Sequence, residues 1–160
     1  MKRIFQALRL QSNYLPYLTL IGIAILVYGN ILFNDGVYWD GWLIYSYLKD
    51  GNWTDLLTTF QEAGLPILAT LHWGMRIFPN LVFGYHLISF ICVALTGILI
   101  YRVLTVAGLL TPGERFWVVA IALVYPAFQV RFEMIILPYP LGYCLFWTAA
   151  LLALLSKKSL

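Results

Sequence analysis

The stretch YLPYLTLIGIAILVYGNILF, residues 14–33, decides what kind of protein this is. It carries no charge over a length that, as a helix, matches the ~30 Å hydrocarbon core of a bilayer. Pro16 falls in its first turn, where a missing backbone N–H costs little. Lys2, Arg3 and Arg9 precede it, as they would in a signal peptide. The run exceeds the usual ~7–15-residue signal core and no small-residue cleavage site closes it, so it reads as a signal anchor.

Composition extends this reading to the whole chain. Of 160 residues, 62% are hydrophobic, 17% aromatic and 11% charged, where soluble domains carry about 25% charge. The mean hydropathy of +0.83 excludes an ordinary soluble domain, and the charge pattern holds no basic patch for nucleic acid. Cys92 and Cys144 both lie in apolar runs, so neither a disulfide framework nor redox chemistry is indicated. The expected fold class is all-α integral membrane, a single domain with about four transmembrane helices. These are Tyr14–Phe33, Leu81–Ala107, a third from Phe116 to near Phe128, and a fourth over 141–155, reaching back to Pro138 if the prolines open it.

Charge sets the orientation. Segment 34–65 holds Asp35, Asp40, Asp50, Asp55 and Glu62 against Lys49 alone, which puts it outside or in a lumen. Lys2, Arg3, Arg9, Arg102, Arg115, Lys157 and Lys158 fall on the opposite side, with Glu114 as the one acid there. Lys49, Arg76 and Arg131 remain outside. Both termini are then cytoplasmic, with Thr111-Pro112-Gly113 as a tight cytoplasmic turn.

The outer excursion is patterned. Trp53, Leu56, Leu57 and Phe60 share one helical face, Asn52 stands at the N-cap position, Asp55 falls in the first turn and Gly64 ends the pattern. This predicts a short amphipathic helix lying in the membrane interface. Trp39, Leu43 and Tyr47 predict another before it. Segment 66–78, opened by Pro66 and broken by Pro79-Asn80, is short for a span and reads as interfacial or re-entrant. Asn52-Trp53-Thr54 also matches an N-glycosylation acceptor, although capping already accounts for Asn52.

Chemistry centres on residues 33–42, where Asp35 and Asp40 sit among Tyr38, Trp39, Trp42 and glycines. A carboxylate beside a bilayer can serve as general base or ligate a divalent metal; otherwise it is simply solvated. Aromatic neighbours favour the functional reading for Asp40, since they hold the group against apolar surface. Five residues separate the two acids, so they share a site only if the chain folds back at Gly36. In the second outer loop, Arg131 suits bidentate phosphate contacts and Glu133 a metal or acceptor, or the two merely cap spans. Arg76 is placed to snorkel toward, or bind, lipid phosphates. His72 and His86 are isolated, which argues against zinc; His86, at the outer start of a span, is either packed there or part of a substrate surface.

The order of these motifs resembles the N-terminal part of GT-C type membrane glycosyltransferases, the superfamily of protein O-mannosyltransferases, lipid A aminoarabinose transferases and oligosaccharyltransferase catalytic subunits. Asp35-Gly36-Val37-Tyr38-Trp39-Asp40-Gly41-Trp42 stands at the position of their acidic motif. Phe83-Gly84-Tyr85-His86-Leu87-Ile88-Ser89 is similar to a stretch opening their second span, and Tyr125-Pro126-Ala127-Phe128 to the end of their third. The resemblance implies transfer of a sugar from a polyprenyl-phosphate carrier to an acceptor at the outer or lumenal face. Asp40, with Asp35, would be the catalytic carboxylate, and Arg131 or Arg76 the phosphate contact. Many relatives carry two adjacent acids where this chain has Asp40-Gly41, and a basic residue where it has Leu65 before Pro66. Their shared module also exceeds four spans, so the chain is expected to be the N-terminal portion of a larger module, active with its remaining part or a larger membrane partner.

A different class competes with this one: a non-catalytic accessory subunit, or a truncated and inactive homologue that keeps the fold. A small transporter ranks lower, because transport needs polar groups at mid-membrane and the charges here cluster at the ends of apolar runs.

Overall fold

The computed structural model describes residues 2–125 and 132–158, with side chains placed for 14–125 and 132–157. Every regular element among these residues is helical: α1 (Lys2–Tyr28), α2 (Gly41–Asp50), α3 (Trp53–Glu62), α4 (Pro66–Gly74), α5 (Leu81–Ala107), α6 (Pro112–Val124) and α7 (Pro138–Lys158). Short 3₁₀ turns follow α1 (Gly29–Phe33) and α4 (Met75–Ile77) and precede α7 (Met134–Ile136).

Three segments are long and apolar enough to cross a membrane: Tyr14–Phe33, Leu81–Ala107 and Met134–Lys157. α5 is the central one, packed against α1, α6 and α7. The third expected span is represented by α6, whose 13 residues reach about 20 Å. Its expected end near Phe128 lies outside the described residues.

Helix ends follow local chemistry. The Asn80 side chain accepts from the Phe83 N–H and starts α5, while Gly108, at φ 70°, ends it in the left-handed conformation that glycine adopts without penalty. Thr111 and Glu114 form a capping box at the start of α6. Arg115 donates from Nε and Nη2 to the Leu109 and Leu110 carbonyls just past α5, at 2.7 to 3.0 Å, which fixes the turn between the two helices.

Two close approaches hold the bundle together. A Cβ built on Gly97 would lie 2.9 Å from both terminal methyls of Leu123, so α6 rests directly on the α5 backbone. A Cβ on Gly84 would lie 2.5 Å from Cγ of Phe78, so the ring after α4 seats on the start of α5. Small residues serve this purpose where lipid removes most of the hydrophobic drive between helices. At the end of α6, the Tyr28 hydroxyl donates to the Leu123 carbonyl, supplying a partner to a terminal acceptor the helix itself leaves open.

The predicted excursion is refined. α3 buries Leu56 and Phe60 and is capped by Asn52, as its pattern required. α2 instead buries Gly41, Ile44 and Leu48. Trp39, Leu43 and Tyr47 do not form its inner face, because Trp39 precedes the helix at φ 48° and is exposed, as is Leu43. α1 begins at Lys2, and the run to Phe33 finishes as a 3₁₀ turn. α7 starts at Pro138, the earlier of the two starts the sequence allowed.

Candidate functional site

The candidate site lies where α1 ends, α2 and α5 begin and the chain enters α7. The loop after α1 is tightly folded. Gly36 N–H donates to the Asn34 side-chain oxygen at 2.8 Å, an Asx turn. The Tyr38 ring folds back over Gly36 so closely that a Cβ there would sit 2.5 Å from the phenol oxygen. Gly36 thus carries the Asx turn and lies under the Tyr38 ring, while the turn into α2 comes at Trp39 and Asp40. Asp35 and Asp40 are both exposed, and Asp40 precedes α2 with no side-chain capping bond.

The two acids face different neighbours. Asp35 lies toward His86 on α5, whose ring also faces the backbone of Ile31 and Asn34. His86 is buried, at 3% exposure. It packs the loop onto α5, facing the Ile31 and Asn34 backbone first and the Asp35 charge beyond them. The residues flanking Asp40 instead adjoin the segment before α7. The Tyr38 N–H donates to the Glu133 carboxylate, and that carboxylate's Oε2 lies 3.8 Å from where a Gly41 Cβ would be. The tighter neighbour of Gly41 is Val37, whose Cγ1 would lie 3.3 Å from that Cβ.

Glu133 is half-buried. Burial pushes its carboxyl above the usual range, and the bond from the Tyr38 N–H pulls the other way. Burial thus favours the protonated form of this carboxyl relative to a solvated one. Arg131 lies outside the described residues. Arg76 is elsewhere: its guanidinium stacks 4.4 Å from the Trp73 ring centroid and packs against Gly51, beyond the far end of α2. Ten residues of helix put that end about 15 Å from Asp40. Arg76 completes a Trp53–Trp73–Arg76 stack, with the two indoles edge-on at 5.3 Å, and does not share a site with Asp40.

A buried polar pair under α3 carries no signature in the sequence. His72 Nδ1 and the Tyr85 hydroxyl are 2.8 Å apart, and the imidazole is stacked between Phe60 and Tyr85. His72 is completely buried, and its Nε2 has no hydrogen-bond partner. Burial pushes its pKa down to about 4, so it is neutral at physiological pH. Thirteen residues and a helix break separate the two partners, so only the fold reveals the contact.

Among the described residues no group of three or more His, Cys, Asp or Glu side chains is arranged to hold a metal ion. An apolar groove of about 610 Å³ runs from Leu65 and Leu68 of the α4 region along Pro138, Tyr139, Phe146 and Trp147 of α7. No family model, curated protein or solved structure matches the chain.

Proposed function

We propose that this chain is the membrane-embedded part of a GT-C type glycosyltransferase that moves a sugar from a polyprenyl-phosphate carrier to an acceptor at the outer or lumenal face. In this reading α1, α5 and α7 cross the membrane, α6 contributes the inner part of a fourth crossing, and both termini are cytoplasmic. Helices α2 to α4 lie in the outer interface, as their amphipathic pattern favours.

The observation that carries the reading is the junction of the two outer segments. Glu133 is bonded to the Tyr38 N–H and lies against Gly41, which follows Asp40, and the helix that starts five residues after Glu133, at Pro138, lines an apolar groove. A lipid-linked donor needs an apolar groove for its carrier and carboxylates for its sugar: in this reading the prenyl chain follows the groove and the reacting sugar stays in water-facing chemistry. The acceptor oxygen attacks the anomeric carbon, the bond from that carbon to the phosphate oxygen breaks, and the polyprenyl phosphate leaves with the electron pair. Asp40 takes the acceptor proton, and Glu133 positions the Asp40 end of the loop. Arg131, two residues from Glu133, is the cation assigned to the leaving phosphate. Fixed charges at such a site act without reorganising.

The test is turnover of a panel of undecaprenyl-phosphate sugars by the full chain reconstituted with membrane extract, which supplies acceptors and any larger partner. Asp40→Asn is expected to abolish transfer while leaving the far-UV circular dichroism and melting curve unchanged. Full activity in that variant removes Asp40 from the mechanism.

One observation favours a second reading, a non-catalytic subunit of a larger assembly: Asp35 and Asp40 are both exposed and face different neighbours. Stable co-purification with a larger membrane protein whose activity ignores Asp40→Asn would select it.

A further inference from the structure

The end of the bundle remote from the acidic loop carries a cavity of about 990 Å³ between α1, α5, α6 and α7. Arg102 and Arg115 stand in its wall, with Tyr14 and Tyr17 beside them and Leu99 and Leu151 forming an apolar side. Arg102 is 21 residues along α5 from Leu81, a helical distance of about 30 Å, which is the thickness of the hydrocarbon core. The cavity and the candidate site therefore sit at opposite faces of whatever membrane the bundle spans.

None of the described residues lining this cavity is acidic. The acid nearest in sequence, Glu114, is engaged by Thr111, whose N–H and hydroxyl lie 2.7 and 2.8 Å from one carboxylate oxygen. Arg115 is held in place by its bonds to the Leu109 and Leu110 carbonyls, so its charge is positioned before any ligand arrives. The Tyr17 ring packs edge-on against Tyr101 at 5.2 Å, which stiffens the wall between α1 and α5.

We propose that this cavity binds an anionic phospholipid, with the headgroup phosphodiester between Arg102 and Arg115 and one acyl chain against Leu99 and Leu151. The amphiphilic wall commits the occupant to a lipid: two guanidiniums at the helix ends continue directly into aliphatic surface along the helices. Guanidinium matches phosphate oxygens in a planar, two-point geometry, and basic pockets between membrane helices suit anionic headgroups. The inference requires membrane insertion and is independent of the transferase reading.

The experiment is native mass spectrometry of the delipidated full chain offered phosphatidylglycerol and phosphatidylcholine with identical acyl chains. Preferential retention of phosphatidylglycerol is expected, falling about five-fold in R102Q, with K157Q, an exposed charge outside the cavity, unchanged. R115Q is expected to lose retention too; because Arg115 also fixes the α5–α6 turn, circular dichroism accompanies it, and R102Q alone decides. Equal retention of the two lipids overturns the proposal. So does an equal loss in K157Q, which would mean general surface attraction. Displacement of the lipid by millimolar glycerol phosphate also overturns it, because the site would then be one for soluble phosphate.

Discussion

His72 Nδ1 and the Tyr85 hydroxyl meet at 2.8 Å in a fully buried position, joining α4 to α5 beneath the Phe60 ring. This pair is a polar link between the short helices α2–α4 and the central helix α5. Because a buried group stripped of its partner costs about 1–3 kcal/mol, Tyr85→Phe and His72→Leu should each destabilise the fold by that order. The double variant should cost clearly less than the sum, since removing both partners leaves nothing unsatisfied. Reversible denaturant unfolding in detergent, read as a double-mutant cycle, measures the coupling.

The same histidine gives the fold a pH dependence. Its pKa is about 4 in the folded chain against an ordinary 6.5, so between those values the unfolded chain binds more protons. Stability is therefore complete above pH 6.5 and falls as pH drops toward 4. The expected loss is roughly 2 kcal/mol between pH 7 and pH 5. Melting curves at the two pH values should differ in the wild type and converge in His72→Leu. An imidazole that titrates near 6.5 by NMR would contradict the buried neutral assignment.

Glu133 carries the opposite sign. Its folded pKa is raised, so the folded chain holds the extra proton and this contribution to stability grows as pH falls through the raised value. Glu133→Gln keeps an oxygen for the Tyr38 N–H and removes the charge whose burial is unfavourable. It should melt no lower than wild type at pH 7 while losing transfer activity in the reconstituted assay. A clear drop in melting temperature would make the residue a structural anchor of the loop.

Two glycines of α5 should respond differently to alanine. At Gly97 the new methyl meets the terminal methyls of Leu123, which can rotate, and alanine returns about 1 kcal/mol of helix propensity. Gly97→Ala is expected to be near neutral. At Gly84 the methyl meets Cγ and Cβ of Phe78, at 2.5 and 2.8 Å; turning χ1 moves Cγ, but Cβ moves only with the backbone. Gly84→Ala should cost about 1–3 kcal/mol from overpacking, measured by the same unfolding assay.

The sequence made some elements legible because their causes are local. Asn52 caps α3 and Leu56 and Phe60 turn inward, since a cap and a 3.6-residue period need no distant partner. The inner face of α2 was misread because Trp39 looked like its first turn; in the fold it takes a positive φ that places it before the helix. For the site, the sequence singled out Asp35, Asp40, Arg131, Glu133 and Arg76 by scarcity of charge, and His86 by its place at the start of a span. It could not tell that Glu133 adjoins Gly41, that His86 is buried under the loop, or that Arg76 belongs to a stack beyond the far end of α2.

What the amino-acid order determined alone is the apolar, helical, layered character of the chain and the position of its rare charges. Those follow from composition and from periods no longer than a helical turn. What only the tertiary structure decided is which rare groups meet. The Tyr38–Glu133 bond, the His72–Tyr85 pair and the Arg102–Arg115 cavity each join segments separated by a helix end or a turn. Such contacts depend on how whole helices pack, and packing is set by many weak side-chain fits at once, so no local pattern records it.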